Sequence, residues 1–286
     1  MSETGDRSAV FLDTSIMIAR FIHGPRVKER IRERLAEFRT TVTGSVVRQE
    51  FRRRLLKEAQ YMSNLLDRLG SAEAVQRHVL DVLPAQQVRK MRICLETITT
   101  VYEGVSEPDR TERLRIFLRF LLAGGLGQFD LMVDRVVTSG CDAGGRSIVE
   151  KKNGDFEFGS DHCSRSSEDC KIGDFLSDRS EAVARIRSHL GSAERATHSK
   201  EILGTIDFMK ATEADHPGVG ALDPCLNVGD YLIALESADA STMYTMNAKE
   251  SQHFCRALGQ TMIVRKPNPE HDDIICAHDD PDWPIF

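Results

Sequence analysis

The chain has 286 residues, 41% hydrophobic and 29% charged, which excludes a disordered polyelectrolyte and indicates one large or two ordinary globular domains. With 38 basic and 44 acidic residues the net charge is −6, which argues against a generic polyanion-coating protein but is compatible with a carboxylate-rich site. No run approaches the roughly 18 apolar residues of a membrane span, and acids stand at the N-terminus where a secretory signal would carry bases. The seven cysteines are odd in number and scattered, so the expectation is a cytoplasmic protein with reduced thiols and no membrane association.

Ala9-Val10-Phe11-Leu12 has strand character and runs into Asp13-Thr14-Ser15. A helix is expected next, broken at Gly24-Pro25, then a charged helix through about Phe38. Thr40 to Thr43 is rich in β-formers and ends at Gly44-Ser45, where Ser45 is placed to cap a long helix through about Leu69. From Ser71 to about Thr138 the pattern is helical, punctuated by Pro84, Gly104, Pro108 and Gly124-Gly125. Gly, Ser and Asp dominate from Thr138 to Asp178, where Asn153-Gly154 joins two alternating segments, a strong hairpin signal. Helical periodicity resumes from about Ser180 to Thr212. The end alternates again: a helix from Val228 to Ala238, a strand at 242–245, a helix from Lys249 to Leu258 and a last strand at 261–264.

Strand–helix alternation at both ends predicts an α/β fold whose parallel sheet is assembled from the two ends, with a large, mainly helical insertion between them. The expected parts are a core in two pieces, 1–66 and 222–268, an insertion over 67–221 with a β-hairpin near 147–158, and an acidic C-terminal tail over 269–286. The insertion is expected to form a packed helical cap with the hairpin projecting from it, restricting the site or forming an oligomer interface.

A carboxylate directly after a strand, as at Asp13, sits at the sheet edge where open α/β folds keep their sites. An aspartate there also caps helices, so Asp13 alone supports either role. Three more acids occupy similar places. Glu50 lies early in the helix after the second strand, Asp230 opens the helix from Val228, and Glu250 follows the strand at 242–245.

In this order the motifs resemble those of the PIN-domain family. Leu12-Asp13-Thr14-Ser15 is similar to its opening acid with a following hydroxyl, and Ser45-Val-Val-Arg-Gln-Glu50-Phe51 to the helix of its second acid. Asp230-Tyr-Leu-Ile-Ala resembles the third. Thr245-Met-Asn247-Ala-Lys-Glu250 resembles the turn Thr-x-Asn-x-x-Asp, with Glu in place of the usual Asp, and Leu258-Gly259 before 261–264 resembles the final strand. The resemblance covers roughly residues 8–66 and 222–267. It implies a PIN-like core and a divalent-metal-dependent endoribonuclease, with Asp13, Glu50, Asp230 and Glu250 as metal ligands and catalytic groups. Thr14, Ser15, Thr245 and Asn247 would support them.

Charge density gives the physical reason for a cation. Two carboxylates about 4 Å apart repel by ~4 kcal/mol at an effective dielectric of about 20, and Mg²⁺ or Mn²⁺, which take hard oxygen ligands, remove that conflict. Neutralising Asp13 or Asp230 is accordingly expected to abolish cleavage while leaving the fold intact. Arg48, Arg52 and Arg53 beside Glu50 are candidates for holding a nucleic-acid backbone. The expected partner is RNA. A DNA or flap-type nuclease of the same superfamily and an inactive PIN-like binding or scaffold module are the alternatives, with a homo-oligomer or a regulatory protein as further partners.

Cys141, His162, Cys163 and Cys170 cluster in the Gly/Ser-rich stretch but lack a Cys-x₂₋₄-Cys pair, so free thiols are expected there rather than zinc. No nucleophile elbow or P-loop is present. The six acids of 270–286, with Trp283 near the end, are expected to be a tail that docks by its aromatic end or lies against the arginine helix.

Overall fold

Val10, Phe11 and Leu12 of strand β1 (Ala9–Leu12) are completely buried, as a continuous apolar run must be when both faces of a parallel sheet are covered. The computed structural model that shows this describes residues 9–82, 88–104, 106–124, 127–141, 148–152, 156–158, 171–192, 200–215, 229–265 and 273–276.

β1 pairs in parallel with β2 (Thr40–Gly44), at Val10↔Thr41, while β2 pairs with β3 (Arg135–Val137). A separate antiparallel pair is formed by β4 (Ile148–Glu150) and β5 (Phe156–Phe158). On its other side β1 pairs in parallel with β6 (Thr242–Thr245), at Leu12↔Tyr244, and β6 with β7 (Thr261–Val264). The antiparallel strand β8 (Asp273–Cys276) closes this edge. The resulting order is β3-β2-β1-β6-β7-β8, an α/β sheet assembled from both ends of the chain.

Two of these strands differ from the sequence expectation. β3 falls inside the stretch read as helical. It is a three-residue edge strand with no periodicity of its own, and Asp134 fixes it by accepting the Thr41 backbone N–H at 2.7 Å and the Thr41 hydroxyl at 2.8 Å. β8 falls inside the acid-rich stretch read as a tail. Its pairing is made by main-chain groups, to which the flanking charges are indifferent. It lies at the sheet edge remote from β2, whose end leads into the arginine-bearing helix; residues 277–286, including Trp283, are outside the described set.

The helices begin with α1 (Thr14–Ile22), α2 (Pro25–Leu35) and α3 (Ser45–Leu69). Pro25 starts α2 where a missing N–H costs nothing. α3 ends at Gly70, whose φ of 79° only glycine adopts without strain, and the Gly70 N–H closes on the Leu66 carbonyl at 2.9 Å. Then come α4 (Ala72–Val82), α5 (Val88–Tyr102) and α6 (Glu107–Gly124). After the hairpin follow α7 (Ile172–Asp178), α8 (Ser180–Ser192), α9 (Lys200–Asp215), α10 (Gly229–Glu236) and α11 (Ala248–Leu258).

The 25-residue α3, about 37 Å long at 1.5 Å per residue, is the spine of the molecule. α1, α4, α5, α6 and α10 all pack on it, so the first half of the insertion is built against the helix that carries Glu50. One buried apolar cluster runs from Phe11 through Phe51 to Val79, Ile98 and Leu118. The β4–β5 pair lies on the same helix rather than projecting: Leu56 packs with Ile148 and Phe156, and Gln60 donates to the Phe156 carbonyl at 3.1 Å. The Asn153-Gly154 turn is outside the described residues. Among the described residues no helix is long and apolar enough to cross a membrane.

Candidate functional site

The strand order splits at β1. The chain leaves β1 toward β2 and β3 on one side and later returns to lay β6 and β7 on the other. A crevice opens at the carboxyl ends of two such divergent strands, which is where open α/β sheets bind ligands. A cavity of about 280 Å³ lies here. Asp13, Thr14 and Ser15 line it from the β1–α1 turn, Met246 and Asn247 from the β6–α11 turn, and Glu50 and Asp230 from α3 and α10. Ile18, His23, Arg54, Arg92 and Ile93 complete the lining.

The two turns are tied by one hydrogen-bond network centred on Asp13, which is 9% exposed. Asp13 Oδ1 accepts the Thr14 backbone N–H at 2.7 Å and caps α1. Asp13 Oδ2 accepts the hydroxyls of Ser15 and Thr245, each at 2.8 Å. Those hydroxyls accept in turn: Ser15 Oγ from the Met246 N–H at 2.9 Å, Thr245 Oγ1 from the Asn247 N–H at 2.8 Å. Asp13 therefore has both roles the sequence left open in one place, helix cap and cavity-lining carboxylate. Thr14 and Ser15 divide the labour: Ser15 holds Asp13, whereas the Thr14 hydroxyl donates to Glu50 Oε2 at 2.8 Å.

Glu50 reaches the start of α10, where a Cβ added to Gly229 would sit 3.5 Å from its Oε1. Asp230 is half-buried in the first turn of that helix. The structure thus brings Asp13, Glu50 and Asp230 from three elements to one cavity. Glu250 stands early in α11, and its side chain is outside the described set. All the donors are oxygens, the set a hard divalent cation takes. Among the described residues, however, no group of three or more His, Cys, Asp or Glu is close enough to hold a metal ion.

The arginines are distributed differently from the expectation. Arg48 pairs with Asp130 at 2.7 Å on the exposed surface, and neither Arg52 nor Arg53 lines the cavity. Arg54 does, one turn beyond Glu50, a placement the i,i+4 spacing makes legible. Arg92 arrives from α5, which no sequence spacing connects to the site. His23 stands beside it with Nδ1 3.5 Å from a Glu96 carboxylate oxygen. Burial, then the positive charges of Arg92, Arg265 and Lys28, push the His23 imidazole down to about 4, so it is neutral at pH 7.

Glu236, at the end of the helix that Asp230 opens, is 1% exposed. It accepts the Ser45 hydroxyl at 2.6 Å, the Ser139 N–H at 3.1 Å and the Val46 N–H at 3.3 Å. A carboxylate far away in sequence thereby satisfies the N-terminus of α3, in the place Ser45 was expected to cap, and joins it to the end of β3. Burial pushes the Glu236 carboxyl up to about 7 against these hydrogen bonds, which lower it. A Cβ on Gly44 would fall 1.8 Å from Glu236 Oε2, so any side chain there must push this carboxylate aside.

Of the cysteine and histidine cluster, only Cys141 is described, and it forms no disulfide among the described residues; His162, Cys163 and Cys170 are outside them. Comparison with protein-family models, with curated proteins and with solved structures found no match to this chain.

Proposed function

We propose that the protein is a PIN-like, divalent-metal-dependent phosphodiesterase acting on RNA. One observation carries this reading: Asp13, Glu50 and Asp230, from three separate elements, line a single cavity at the point where the strand order diverges. Acids gathered at one crevice gain nothing for the fold from one another, since like charges repel as they approach. They are a good device for holding Mg²⁺ or Mn²⁺, with Glu250 as a fourth group. The ion would supply Lewis acidity toward a phosphodiester oxygen and a water.

The chain's own residues have defined parts. Ser15 and Thr245 fix the Asp13 carboxylate by two hydroxyl bonds to one oxygen, which leaves Oδ1 able to accept beyond the Thr14 N–H. Thr14 orients Glu50. Asn247 lines the same wall, its backbone held by Thr245. The reaction is hydrolysis: a water oxygen bonds to phosphorus, the opposite P–O ester bond breaks, and the leaving alcohol takes a proton.

A second reading, an inactive PIN-like module, is favoured by the spacing of the carboxylates, which among the described residues are not drawn together to ligating distance. Incubation with mixed single- and double-stranded RNA and DNA separates the readings. The expected result is cleavage of RNA with Mg²⁺ or Mn²⁺ that stops on addition of chelator. Cleavage of DNA alone moves the assignment to the DNA or flap-type alternative, and cleavage of neither supports the binding module.

A further inference from the structure

We propose that Arg54 and Arg92 form an anion subsite for a substrate phosphate, so that α5 of the insertion is part of the substrate site rather than a cover over it. The identity of the anion as a nucleic-acid phosphate rests on the nucleolytic reading; the subsite itself rests on the cavity.

Four observations lead there. Both arginines line the cavity of the three carboxylates, on helices α3 and α5 that pack against each other. Arg48 is taken up by Asp130 and Arg179 by Asp239 away from the cavity, whereas Arg54 and Arg92 line it, each with a carboxylate one turn on, Glu58 and Glu96, whose charged form it favours. The side of the cavity at Arg92 is cationic: after burial, Arg92 is the largest of the positive charges that keep the cavity-lining His23 neutral, even with Glu96 beside it. Ile18, Ile93 and Met246 add apolar surface, and about 280 Å³ lies just below the ~300–1,000 Å³ of drug-sized ligand pockets.

Guanidinium groups bind phosphate oxygens through paired N–H donors, while the apolar residues accept a sugar or base. The ligand class is therefore a phosphate ester bearing one nucleoside unit. The neighbouring carboxylates oppose an anion, so neutralising one of them should strengthen its binding.

The test titrates the full chain, in chelator, with adenosine 5′-monophosphate, inorganic phosphate and adenosine. The monophosphate and phosphate should bind and adenosine should not. Arg92→Ala and Arg54→Ala should each weaken binding at least ~10-fold, Arg92→Lys should restore part of it, and Asp230→Asn should strengthen it several-fold. Arg119→Ala, at an exposed position of α6, should leave it unchanged. Equal affinity in wild type and both arginine-to-alanine variants overturns the subsite, as does no binding up to roughly 10 mM or an equal loss in Arg119→Ala. Should Arg92→Ala fail to fold, Arg92→Lys and Arg54→Ala decide. Arginine-dependent phosphate binding in a protein that cleaves nothing would leave the subsite standing and remove the nuclease. Metal-dependent cleavage with phosphate binding indifferent to both arginines would do the reverse.

Discussion

Asp230→Asn is expected to lower metal-dependent RNA cleavage at least ~100-fold, while the melting temperature moves by no more than about 3 °C. The side chain is half-buried in the first turn of α10, so its loss from the fold is mainly that of a favourable charge at a helix N-terminus, about 0.3–1 kcal/mol. The sequence expectation treated Asp13→Asn as equally harmless to the fold. The structure separates the two residues: Asp13 caps α1 and accepts the hydroxyls of Ser15 and Thr245 in a buried place, so its neutralisation should cost on the order of 1–3 kcal/mol in addition to activity. Steady-state cleavage and urea melts on both variants check this. Unchanged cleavage in Asp230→Asn removes the metal-site assignment.

The largest stability effect is expected at Glu236. Its carboxyl is raised to about 7 in the folded protein from 4.5, so as pH rises the unfolded chain releases its proton first. Between about 4.5 and 7 the folded state binds more protons, and stability falls with rising pH across that window, by up to ~3 kcal/mol, then levels off. Glu236→Gln, which mimics the neutral acid, should remove this part of the slope. Glu236→Ala should destabilise at every pH by on the order of 3 kcal/mol, because the Val46 and Ser139 N–H groups lose their acceptor in a buried place. Gly44→Ala should displace the same carboxylate, costing about 1–3 kcal/mol and flattening the slope as Gln does. Urea denaturation between pH 4.5 and 8 reads all three. A wild-type slope identical to that of Glu236→Gln would show that the carboxyl is not the source.

What the sequence makes legible follows from where its signals are local. β1, β6 and β7 announce themselves as short apolar or β-branched runs, and each ends in a residue that turns the chain, as at Leu12-Asp13. α3 is bracketed by Gly44-Ser45 and Gly70 and was readable to its last residue. β3 and β8 were missed because an edge strand of three or four residues is defined by its neighbour's hydrogen bonds, not by its own pattern. The same distinction holds in the site. Asp13, Glu50 and Asp230 follow strands or open helices, and Arg54 follows Glu50 by one helical turn. Arg92 and Glu236 have no such signal: Arg92 looks like one of many helix-surface cations, and Glu236 like the solvated end of α10. Their importance comes from tertiary packing, which brings α5 into the cavity wall and buries the end of α10 against the start of α3.

Whether these acids hold a divalent cation is decided by calorimetric titration of the full chain with Mn²⁺. Saturable binding is expected, lost or weakened at least ~10-fold in Asp230→Asn and unchanged in Arg119→Ala. Absence of saturable binding to the wild-type protein, or binding that Asp230→Asn leaves intact, would contradict a cation site at these acids.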